Sequence, residues 1–76
     1  MPLIPSETDQ NKFSDQFTPR ETEVIEHFAE GYSSASTAIK LNISEGTVRA
    51  HRKNILQKSG CRNITHAVAL WAREIH

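Results

Sequence analysis

Residues Ser44 to Gly60 read SEGTVRAHRKNILQKSG and carry four of the chain's nine Lys and Arg residues. Ser44 is a favoured N-cap residue, Glu45 suits the positive end of a helix, and Gly60 supplies a stop. Between them only Gly46, in the first turn, weakens a helix. On a wheel advancing about 100° per residue, Val48 and Ile55 share one side with Leu56 and Ser59 beside them. Gly46, Arg49, Ala50, Lys53, Asn54 and Gln57 take the opposite side. One face is fit for a core; the other is basic, rich in amides and small at its middle.

Working upstream, Asn42 tolerates the left-handed conformation needed to leave a helix, and Ile43 stands just before the cap. A short helix therefore runs from Ser33 or Ser34 to Leu41. Before it, Thr18-Pro19-Arg20-Glu21 is a helix start. Thr18 caps, Pro19 sits where no amide donor is needed, and Glu21 closes a capping box. Val24, Ile25, Phe28 and Ala29 repeat at helical spacing, Glu23, Glu26 and Glu30 lie opposite, and Gly31 ends that helix. Downstream, Asn63 caps a fourth helix from Ile64 to about Ile75, with Ile64, Val68, Trp71 and Ile75 on one stripe. No strand pattern or internal repeat occurs. The sequence predicts an all-α, compact four-helix domain over residues 17–76, preceded by residues 1–16 as a polar arm or linker whose end Phe13 and Phe17 can pin to the domain.

A chain of 76 residues supports one small domain, whose function belongs on its surface rather than in a deep pocket. Its formal charge is zero, yet residues 1–30 hold two basic against seven acidic side chains and residues 31–76 hold the reverse, −5 against +5. The basic half suits an anionic partner, and the acidic half limits nonspecific adhesion. The lone Cys61 has no internal disulfide partner, which fits a reducing compartment. With neither a membrane-length apolar run nor a secretory leader in the sequence, the expected location is cytoplasmic. Neither a paired acid and base nor an activated nucleophile is present, so an enzyme is not expected. No cofactor is expected either. The spacing of His51, Cys61 and His66 matches no zinc pattern, so no metal is assigned to them. Asn42-Ile43-Ser44 and Asn63-Ile64-Thr65 match the glycosylation pattern but read as turns and caps.

A basic, amide-bearing face alone is common on solvated helices. The neighbouring pattern gives it direction: a short helix with a small residue at Ala38, a tight turn at Asn42-Ile43, and a capped second helix form a helix-turn-helix, in which the second helix reads and the first braces. In a major groove, Arg donates to guanine, Asn and Gln pair with adenine, and Ala leaves room for a thymine methyl. Thr47 and Lys58 lie where phosphate contacts set register.

The motifs Phe17-Thr18-Pro19-Arg20-Glu21-x-Glu23-Val24-Ile25, Ala29-x-Gly31, Ala38-x-x-Leu41-x-Ile43-Ser44-x-Gly46-Thr47-Val48-Arg49-x-His51, Ile55-x-x-Lys58, Arg62-Asn63 and Ala67-Val68 follow one another in a single register. This pattern, over about residues 17 to 72, resembles the LuxR-type helix-turn-helix domain, also called GerE or NarL/FixJ. The resemblance implies a bacterial transcription regulator that binds double-stranded DNA as a homodimer, with the third helix in the major groove and the fourth forming the dimer contact. By position it implies base contacts from Arg49, Ala50 and Lys53, and backbone contacts from Thr47, Asn54 and Lys58. Ile64, Ala67, Val68, Leu70 and Trp71 are the candidates for pairing, since Ala67 and Leu70 widen the apolar surface of the fourth helix. Cys61 stands where the family prefers a small apolar residue and is expected to pack as one, and His51 to orient the helix or touch phosphate.

The chain departs from the family at Ala35 and Ser36, usually Lys and Glu, at Thr37, usually apolar, at Ile39, usually polar, and at Ser59 and Ile64. Two accommodations are open: a rotated second helix that packs Ala35, Ala38 and Ile39 together, or an outward Ile39 that meets another protein. The alternative function is accordingly a protein-interaction module on the same fold that modulates another regulator.

Overall fold

The computed structural model of the protein describes residues 12–75, with side chains through Glu74. Four α-helices follow one another: α1 (Pro19–Ala29), α2 (Ser34–Leu41), α3 (Glu45–Ser59) and α4 (Ile64–Ile75). No strand occurs among the described residues.

Local side-chain chemistry sets these boundaries. At α1, Thr18 Oγ1 accepts the Glu21 amide at 3.1 Å and Glu21 Oε1 accepts the Thr18 amide at 3.0 Å, the reciprocal box that satisfies two orphan donors. Ser36, standing where the family usually has Glu, closes a serine version of that box at α2. Its hydroxyl accepts the Ser33 amide at 2.8 Å, while Ser33 Oγ accepts the Ser36 amide at 3.1 Å. Asn42 leaves α2 in the left-handed region at φ 59°. Ser44 Oγ accepts the Thr47 amide at 3.0 Å to open α3, and Gly60 closes it at φ 72°. Asn63 Oδ1 accepts the His66 amide at 2.9 Å and opens α4. The two glycosylation-like tripeptides thus serve helix ends.

The core joins α1, α3 and α4 through Val24, Ile25, Val48, Ile55, Ala67 and Trp71, with Ala38 of α2 closing one side. A small side chain at Ala38 lets α2 lie close against α3. Thr37 is fully buried beside it, whereas Ala35 is exposed and Ile39 is 81% exposed. The rotated α2 is therefore not adopted: the Thr37 methyl takes the expected apolar position, at the cost of a buried Oγ1 with no hydrogen-bond partner. Cys61 packs against the core as a small apolar side chain.

The ordered fold also reaches into the segment read as an arm. Phe13–Gln16 forms a 3₁₀ turn, and Phe13 and Phe17 meet edge to face at 5.2 Å against the core. Ser14 donates its amide and hydroxyl to the two Glu74 carboxylate oxygens of α4, each at 3.0 Å. The rest of the expected arm, residues 1–11, lies outside the described residues, as does the Ile75 side chain.

Candidate nucleic-acid interface

The outward face of α3 is determined by what its inward face must bury. Val48 and Ile55 are fully buried, and Leu56 and Ser59 are half-buried beside them. The helical period then turns Gly46, Arg49, Ala50, Lys53, Asn54 and Gln57 to solvent, and all six are exposed. α2 packs on α3 while leaving that face open. Arg49, Ala50 and Lys53 stand together on it, with Asn54 at one edge.

Arg49 on this face, and Thr47 at the start of the helix, already have partners. Arg49 Nη2 donates to Glu45 Oε2 at 2.6 Å, an exposed i,i+4 pair of the kind worth only a few tenths of a kcal/mol. The guanidinium is steered along the helix without being committed. The Thr47 and Ser44 hydroxyls lie 2.8 Å apart at the helix start, so Thr47 stays at the surface while its oxygen keeps to the cap. Gly46 is held open by nothing inside the chain: a Cβ there would meet only Ser44 Oγ, at 3.8 Å.

Lys58 is differently placed. Its Nζ donates to Glu21 Oε1 at 2.7 Å, and the Glu21 side chain is only 4% exposed. Burial pushes the Glu21 carboxyl up, but the Lys58 ammonium, the Thr18 amide and the nearby His51 outweigh it and hold the group below the usual carboxylate range. Glu21 is the residue that the sequence reading undervalues. Its capping role is legible, but it also lies on the apolar stripe with Val24, Ile25 and Phe28, and that position signals burial and a need for a cation. His51 is half-buried between core and outward face, with Nδ1 buried and unpartnered.

The pairing candidates on α4 divide. Ala67 and Trp71 are buried in the chain's own core, which leaves little of either side chain at the surface. Ile64 and Val68 are half-buried against that core. Leu70 is half-buried and stands about 200° from Val68 around the helix, so one two-fold contact does not use both flanks. Among the described residues no group of three His, Cys, Asp or Glu is placed to hold a metal ion, and no helix is long and apolar enough to cross a membrane.

The family described as bacterial regulatory proteins, luxR family, matches residues 15–71. Relatives include the uncharacterized transcriptional regulatory protein YxjL of Bacillus subtilis, 37% identical over 67 residues, which are 88% of this chain and 31% of that protein. The nitrate/nitrite response regulator protein NarP of Escherichia coli is 39% identical over 57 residues, 75% of this chain and 26% of its own. The HTH-type quorum-sensing regulator RhlR of Pseudomonas aeruginosa is 48% identical over 50 residues, 66% and 21% respectively. The chain thus spans less than a third of the length of these relatives. No solved structure matches it.

Proposed function

The chain belongs to the luxR family of bacterial regulatory proteins, and we propose that it is a sequence-specific DNA-binding transcription regulator, or the effector domain of one, that lays α3 in the major groove. The observation that carries this reading is the exposed cluster Arg49, Ala50 and Lys53 on a helix braced by α2. Arg49 and Lys53 supply donors for base edges, and Ala50 between them lets the helix approach a thymine methyl. Thr47 and Asn54, seven residues apart and so on one flank of that cluster, contact the backbone there. Lys58 takes the separate role argued below.

Two copies pair through α4, so that two α3 helices meet successive major grooves about one helical turn apart. The contact uses the Ile64 and Val68 flank, since Ala67 and Trp71 are occupied within each copy. The domain works in the cytoplasm, and its partners are duplex DNA and a second copy.

The test is a selection of duplexes from a random pool, followed by titration at two salt concentrations, with light scattering to give the oligomeric state. Salt-dependent binding with an enriched two-fold sequence supports the reading. A dimer that binds no duplex favours the second reading, a protein-docking module, for which the 81% exposure of Ile39 is the supporting observation.

A further inference from the structure

The Glu21 carboxylate is buried at the N-terminal end of α1, and the Lys58 ammonium that faces it comes from the last turn of α3. The Glu21 oxygen accepting from Lys58 at 2.7 Å also accepts the Thr18 amide at 3.0 Å. Lys58 itself is 38% exposed, but handing it to a phosphate would leave the 4%-exposed Glu21 carboxylate with only the Thr18 amide and the nearby His51, and uncovering a buried charge from one side is unfavourable. No ion pair holds Lys53 among the described residues. The two lysines of α3 are thus unequal: one is free, and one is secured within the fold.

Each phosphate neutralised by a free cation adds sequence-independent affinity and about 0.9 to the slope of log affinity against log salt. A cation retained by the protein adds neither. We propose that Glu21 is a positioning residue that sets specificity from outside the interface: it withholds Lys58 from the DNA backbone and pins the C-terminal end of α3 to the start of α1. Retaining Lys58 keeps nonspecific binding low while the base contacts of Arg49 and Lys53 stay intact, so the ratio of specific to nonspecific affinity rises. This inference rests on the DNA-binding reading above.

The experiment compares salt slopes on a nonspecific duplex for the unmodified protein, Glu21→Gln, Lys58→Met and Lys53→Met, with folding checked by circular dichroism. Glu21→Gln keeps an acceptor for the Thr18 amide and releases Lys58. Its slope is expected to steepen by about 0.9, with a narrower specificity ratio. Lys58→Met is expected to leave the slope unchanged, and Lys53→Met to flatten it by about 0.9. A purely structural role for Glu21 would not move the slope. On the unmodified protein, nitrogen NMR of the lysine ammonium groups gives a second readout that requires no variant to fold: the Lys58 signal stays in place as duplex is added, while the Lys53 signal moves. Flattening by Lys58→Met equal to that by Lys53→Met, or a Lys58 signal that shifts with DNA, overturns the inference. Binding by the unmodified protein with an unchanged Glu21→Gln slope overturns it while leaving the DNA reading intact. Absence of any salt-dependent binding by the unmodified protein overturns both.

Discussion

Arg49 leaves α3 with its guanidinium resting on Glu45, 65% exposed, and that weak pair is readily exchanged for a base edge. Lys53 has no such partner among the described residues. Arg49→Ala and Lys53→Ala are each expected to weaken specific binding by about 1–3 kcal/mol for every base edge the variant no longer engages, measured by fluorescence titration against the selected duplex. Thr37 presents the opposite situation, a buried polar atom without a partner. Thr37→Val replaces the unsatisfied Oγ1 with a methyl of similar size and is expected to stabilise the fold by about 1 kcal/mol, read by chemical denaturation. Glu21 makes stability depend on acid. Because its folded carboxyl titrates below the ordinary value of about 4.3, it contributes stability that is fully present above that value and lost as pH falls through the folded one. Thermal midpoints measured below about pH 4 are expected to fall less steeply for Glu21→Gln than for the unmodified protein.

At the scale of the element, α3 carries one residue that its own stability does not favour. Gly46 is exposed in the first turn, and nothing in the chain needs it to lack a side chain. Gly46→Ala is expected to stabilise the fold by about 0.5 kcal/mol and to weaken duplex binding, because the added methyl stands on the face where DNA approaches. Denaturation and titration of the same variant check both signs, and gains in both would remove Gly46 from the interface. The helix ends were legible in the sequence because Thr18, Ser33, Ser44 and Asn63 each act on the amide three residues away. The outward face of α3 was legible too, since the helical period alone separates Val48 and Ile55 from Arg49 and Lys53. The orientation of α2 was not. It depends on whether Thr37 or Ile39 fits better against α3, and periodicity offers both.

For the whole molecule, what sequence order concealed is what joins distant residues. Ser14 meets Glu74 across 60 positions and Glu21 meets Lys58 across 37, and no local pattern announces either pairing. The first ties the segment before α1 to the helix that carries the proposed dimer contact. The opposite net charges of residues 1–30 and 31–76 place the cations of α3 within a chain that is net acidic elsewhere and neutral in sum, which favours selective over general adhesion to DNA. The central claim, that Arg49, Ala50 and Lys53 read bases, is tested most directly by titrating the unmodified protein and Lys53→Ala against the selected duplex and against copies changed at one base pair at a time. The account predicts that Lys53→Ala becomes indifferent to one position in each half-site while discriminating at the others as before. Equal weakening at every position, with discrimination unchanged throughout, would contradict it.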